Sequence, residues 1–188
     1  MNFFKRIFSS KQTEAPLDAI YTEDYFNQRY TEQDLQADPA MLEGCIKMVE
    51  SYFIDNKIER KVKDPVNHPL NLDQVFTEGM GFEMYCRAFK LGESEMLMFL
   101  AYAFSGYLTE NFGFKLYKDN TPESPGRSMT LKYDQNGAVL SLYPFEYAHK
   151  VLNGDATFDH LYGRLKQQLG NMPDVKETLK DIVDRRRN

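Results

Sequence analysis

The chain of 188 residues has no tryptophan, two cysteines and three histidines, and each scarcity removes a class of explanation. Cys45 and Cys86 are too few for a disulfide-stapled scaffold or a four-thiolate zinc site. Each sits beside an apolar neighbour, Ile46 or Tyr85, in a stretch of helical spacing, so buried, reduced thiols are expected. No nucleophile elbow, phosphate-binding loop, dinucleotide fingerprint, zinc spacing or Cys-x-x-Cys pair occurs. No cofactor is therefore expected, and enzyme activity is disfavoured. The longest apolar stretch, Met96–Leu108, falls short of the roughly 20 residues that cross a bilayer. The chain also lacks internal repeats and low-complexity tracts.

The few histidines restrict site chemistry further. Glu146 and His149 stand three apart on one expected helix, a spacing used in carboxylate-bridged metal centres. Those centres need the motif twice, and one copy is present. Asp159 and His160 are neighbours, and neighbouring helical side chains diverge. His68 lies between Pro65 and Pro69 and reads as a solvated or backbone-bonded loop residue.

Charge is abundant but unevenly placed. The formal net charge is −5, with Lys5, Arg6 and Lys11 near the start and Arg185, Arg186 and Arg187 near the end. Without those six cations, 17 basic residues face 28 acidic ones. Such a body repels nucleic acid and anionic membranes and attracts a basic protein surface. The first residues carry charge after two aromatics and lack a long apolar core, which argues against a secretory signal. A cytoplasmic location is the expectation.

Aromatic residues make up 14% of the chain, all Phe and Tyr. Phe3, Phe4, Ile7 and Phe8 follow helical spacing beside cations, but so short a segment makes a marginal helix and no stable membrane anchor. Residues 1–17 therefore read as a flexible N-terminal segment and 18–188 as a single domain. Tyr21, Tyr25, Phe26 and Tyr30 lie about one turn apart in a polar stretch that reads as a helix. Asp38 and Pro39 then open a helix whose stripe is Met41, Leu42, Cys45, Ile46, Val49, Tyr52 and Phe53. Pro65 and Pro69 bound a turn-rich connector, and Leu72, Val75 and Phe76 follow on a further helix. The run Phe82–Phe89 satisfies both helical spacing and strand alternation.

Glu93–Asn111 is apolar on most of its circumference, the pattern of a helix buried in the middle of a domain. Gly106 within it predicts a close crossing by another element, and Asn111 and Gly113 suit its end. Phe114–Lys118 forms a strand, followed by a loop, Asp119–Arg127, that is either a binding element or a connector. Met129, Leu131 and Tyr133 alternate with polar residues, and Asn136-Gly137 favours a two-residue hairpin turn. That turn sets Tyr133 opposite Leu140 and Leu131 opposite Leu142, all on one face. Helices led by Pro144, Thr157 and Pro173 complete the chain, the last bearing Val175, Leu179, Ile182 and Val183. The fold class is thus α+β: a small antiparallel sheet of about three strands, packed against the long helix and surrounded by others.

The succession Ala101-Tyr-Ala-Phe-Ser-Gly-Tyr-Leu-Thr-Glu-Asn-Phe-Gly, the strands, Leu142-Tyr-Pro-Phe and Val151-Leu-Asn-Gly resembles a family of uncharacterised bacterial domains over residues 96–169. The resemblance implies a helix leading through a glycine segment to a small sheet and a proline-started helix. Where such domains often carry Trp, this chain has Phe114. The family brings no activity, so the functional expectation comes from composition: a non-catalytic protein-binding module, as in an immunity protein that neutralises a toxin or a secretion adaptor. A small-molecule-binding protein, or an enzyme without a recognisable motif, is the alternative. Tyr21, Tyr25 and Tyr30, with few aliphatic neighbours and flanked by Glu23 and Asp24, are the expected contact residues for a basic partner. Oligomeric state is left open.

No core stripe runs through residues 1–17, so deleting them should leave the thermal midpoint nearly unchanged. A loss of several degrees on melting would show that Phe3, Phe4, Ile7 and Phe8 dock into the core.

Overall fold

A computed structural model describes residues 22–37, 39–135 and 138–172, with backbone alone for 22–24, 135, 138 and 139. The 1–17 segment, Tyr21, the Asp38 cap, the Asn136-Gly137 turn and the helix after Pro173 lie outside the described residues. Within them the order is α1 (Thr22–Arg29), β1 (Tyr30–Gln33), α2 (Ala40–Asn56), α3 (Pro69–Thr77), α4 (Phe82–Ala88), α5 (Glu93–Phe112), β2 (Lys115–Asp119), a 3-10 turn (Pro125–Arg127), β3 (Met129–Gln135), β4 (Ala138–Leu142), α6 (Pro144–Leu152) and α7 (Phe158–Gly170). The fold is α+β, with seven α-helices among the described residues and a four-stranded antiparallel open sheet in the order β1-β2-β3-β4.

Helix α5 is the centre of this arrangement. It packs against α2 on one side and α6 on the other, and it reaches the sheet through β2. Leu100, Ala101, Ala103, Phe104 and Leu108 are essentially inaccessible, as an all-round apolar pattern requires. The Glu95 carboxylate accepts the Gly92 N–H at 2.9 Å, satisfying one orphan donor at the helix start. At the other end Gly113 adopts φ 70° and donates to the Thr109 carbonyl, the left-handed closure that glycine permits. Gly106 is where α2 crosses: a Cβ there would stand 2.6 Å from Leu42 Cδ1.

The hairpin register agrees with the turn chemistry. Leu131 pairs with Leu142 and Tyr133 with Leu140. Leu116 on β2 extends the row by pairing with Leu131, and Leu116 and Leu131 are both buried. The fourth strand, β1, was not expected, because the polar sequence Tyr-Thr-Glu-Gln shows no apolar alternation. It continues directly from α1 and pairs with β2 through Tyr30–Asp119 to Gln33–Leu116. Phe82–Ala88 is helical, so the strand alternative for that run is set aside. Pro39 stands just before α2 instead of at its first position. Met41 and Phe89, read as stripe residues, are about half exposed.

A polar spine on α3 orders the connector before it. Asn71 Nδ2 donates to the carbonyls of Val62, Pro65 and Val66, while its Oδ1 accepts the Val62 N–H. Gln74 does the same for Lys61 and Glu59. Both side chains are buried, and every such bond satisfies backbone that no helix or strand pairs. Asp73, between them, accepts the N–H groups of Phe158 and Asp159 at 2.7 and 2.9 Å, which caps α7. Burial raises the Asp73 carboxyl above its usual range despite those two bonds. His68 caps α3 by accepting the Leu70 N–H at its Nδ1, and its ring lies against Tyr107 and Tyr162. Cys45 and Cys86 are free and buried, with thiols pushed up by burial to about 12 and about 11.

The crossing yields a direct test. Gly106→Val should destabilise the domain by about 1–3 kcal/mol through overpacking against Leu42. Combining it with Leu42→Ala, which alone costs about 2–5 kcal/mol, should cost less than the two separate losses added together. Urea unfolding of the four proteins measures that coupling, and strict additivity would remove the contact as the cause.

Candidate functional site

Two features gather the residues singled out by sequence. The first is the corner where α1 meets the sheet. Alternation along the strands puts Tyr30, Tyr117 and Lys132 on the face opposite the leucine row. Phe26 of α1 closes over them, with ring centroids 5.0 Å from Tyr30 and 5.4 Å from Tyr117. Lys132 Nζ lies 4.1 Å from the Tyr30 ring centre and 5.3 Å from that of Phe26, a cation held against aromatic faces. Burial first, and then the Arg29 charge, lower the Lys132 ammonium below its ordinary range.

A buried ion pair at Asp119 fastens this corner. Arg29 donates to Asp119 through Nε and Nη2 at 3.1 and 2.9 Å, and Thr121 N–H also binds the carboxylate at 2.9 Å. Asp119 is buried. Burial pushes its carboxyl up, but the Arg29 and Thr121 bonds outweigh that push and hold it below the usual range. Asn120 adds two backbone ties, donating its N–H to the Arg29 carbonyl and its side-chain amide to that of Gln28. The second Arg29 terminal nitrogen donates to Tyr25 Oη at 3.2 Å.

The expected contact residues therefore separate. Tyr25 is 60% exposed, and its hydroxyl accepts from Arg29. Tyr30 is half-buried in the ring cluster. Tyr21 lies outside the described residues, as do the side chains of Glu23 and Asp24, although α1 carries the latter two. Glu32 is tied to Lys115 at 3.0 Å, and Asp34 accepts the N–H groups of Gln36 and Ala37.

The second feature is a groove of about 490 Å³ between the start of α5, helix α6 and the 3-10 turn. It unites two sequence observations, the Glu146/His149 pair and the loop that ends at Arg127. Glu146 is the shared acceptor of Arg127 Nε and Lys150 Nζ, each at 2.9 Å, and those bonds hold its carboxyl below the usual range, Lys150 first. Arg127 also binds Glu123 at 2.7 Å and stacks over Tyr143. His149 Nε2 stands 3.8 Å from Glu93 Oε1. Among the described residues no group of three His, Cys, Asp or Glu side chains is placed to hold a metal ion. No helix among them is long and apolar enough to cross a membrane. Sequence reasoning missed Arg29, Asp119, Arg127 and Lys132, whose charged or aromatic partners across the fold lie far away in the chain; only four-residue spacing, Tyr25 to Arg29 and Glu123 to Arg127, signalled any of these bonds.

Asp119→Asn should lower the melting temperature by several degrees at pH 7, because it leaves Arg29 without its counter-charge. The folded-state carboxyl lies below its ordinary value of 3.8, so this stabilisation is complete above that pH and fades as pH falls through the depressed value. Melting curves should therefore show the gap between wild type and variant closing in acid and staying constant from pH 6 to 8.

No family model, no curated protein and no solved structure matches the chain, so the reading of both features rests on their own chemistry.

Proposed function

We propose that the protein is a protein-binding module, an immunity protein or secretion adaptor in type, whose α1–β1 corner receives a basic partner surface. One observation carries the reading. Tyr25 is 60% exposed, yet its hydroxyl is held by the same guanidinium that grips buried Asp119. An exposed tyrosine with restricted motion loses little entropy on binding and offers a large amphipathic surface, the properties of an interface anchor. Glu23 and Asp24 flank it in sequence, and carboxylates there steer a basic partner and speed its approach.

The small-molecule alternative draws its own support from the groove beside α6 and concerns a separate surface.

The test is capture of a partner from the source cell, followed by binding kinetics at low and high salt. Tyr25→Ala should weaken binding roughly 30-fold, equivalent to ~2 kcal/mol for an anchor residue, with the fold intact. Association should slow as salt rises. Tyr30→Ala should lower the melting temperature instead, since its ring packs against Phe26 and Tyr117. A partner that binds Tyr25→Ala and wild type equally well would remove this corner as the contact surface.

A further inference from the structure

We infer that the groove between α5, α6 and the 3-10 turn is a binding site for a small, uncharged, largely apolar molecule that carries a hydrogen-bonding group such as an amide. Three observations fix that ligand class.

The first is size and wall chemistry. At about 490 Å³ the space lies within the 300–1,000 Å³ typical of small-molecule sites. Leu97 and Phe145 supply apolar walls from two different helices, and Pro125 supplies a third from the turn. These elements are fixed with respect to one another: α5 packs on α6 and α6 packs on the turn. The Arg127–Glu146 bond ties the last pair. A cleft walled in this way is formed before any ligand arrives.

The second is the state of its charges. Glu146 lines the groove, but both of its oxygens already accept from a cation, Lys150 and Arg127. Arg127 is shared in turn with Glu123. His149 has its Nδ1 against the Asn153 amide at 3.2 Å and its Nε2 near Glu93. A charged ligand would surrender its hydration and find no uncommitted opposite charge, a net cost. A neutral ligand incurs none of that cost.

The third is what remains available. Ser94 and Ser128 both line the groove, and neither hydroxyl is engaged by another group among the described residues. A hydroxyl both donates and accepts, so either one can serve the carbonyl or the N–H of an amide. Apolar walls with two free neutral polar groups match an amphipathic neutral molecule and nothing of net charge. This site is independent of the α1–β1 corner and stands or falls separately from it.

The experiment uses the full chain and three phenyl-bearing probes of equal heavy-atom size: N-benzylacetamide, 4-phenylbutylammonium and 3-phenylpropionate. Amide chemical shifts are followed during titration at pH 7. N-Benzylacetamide should shift Ser94, Leu97, Ser128 and His149 saturably, and both charged probes should bind at least tenfold more weakly. A groove-filling variant at the exposed position, Ser94→Tyr, should weaken N-benzylacetamide at least tenfold with an unchanged melting temperature. Charged probes binding as tightly as the neutral one would overturn the inference. So would saturable shifts that map elsewhere, or the absence of saturable shifts from the neutral probe. The selectivity among probes and the shift map need only the wild-type chain, so they decide the matter even where a filling variant folds poorly.

Discussion

The contact between Gly106 of α5 and Leu42 of α2 is the constraint on which the rest of the domain depends. A helix buried on nearly every side must be met by neighbours at close range, and a side chain at the crossing would push α2 outward. Here the missing Cβ is replaced by the end of Leu42, so the two backbones come within reach of a single leucine. With α2 settled on one side, α6 is free to pack on the other and β2 can leave the end of α5 at Gly113. The sheet, the α6 groove and the aromatic corner are all placed relative to that crossing.

Where regular structure stops, side-chain amides take over its role. The connector between α2 and α3 has a backbone that pairs with neither helix nor strand, and it is held by Asn71 and Gln74. Asp73 faces the other way and grips the start of α7. Three residues within one turn and a half of α3 thus connect a loop, a helix and a helix cap. Asn71 and Gln74 lie deep in the domain because most of their bonding capacity is spent on backbone.

The legible parts of the sequence were those with local signatures. The all-round apolar run of α5, the β3–β4 register and the small residue at the helix crossing each follow from the spacing of near neighbours. β1 was illegible because Tyr30, Thr31, Glu32 and Gln33 have no apolar alternation; the strand exists because Tyr30 joins an aromatic cluster and Arg29 reaches Asp119. Tyr30 was expected to lack neighbours that could bury it. Aromatic rings contributed by β2 and α1 partly cover it. The groove was half legible: the Glu146/His149 spacing marked one wall, but no local pattern announces that Leu97 and Pro125 supply the others.

The pairing of β1 with β2 has a kinetic meaning. β2, β3 and β4 are joined by short connections, whereas Tyr30 and Asp119 meet across almost half the chain. Closing so long a loop carries an entropic cost that the meander never meets. The meander and α5 can assemble from local contacts, and the α1–β1 unit is then laid along an edge that is already formed. The edge strand is held by its ladder with β2, by two ion pairs, Arg29–Asp119 and Glu32–Lys115, and by a cluster of rings. The exposed tyrosine thus rides on an edge whose main attachments, Arg29 to Asp119 and β1 to β2, form only once the two ends of that long loop have met.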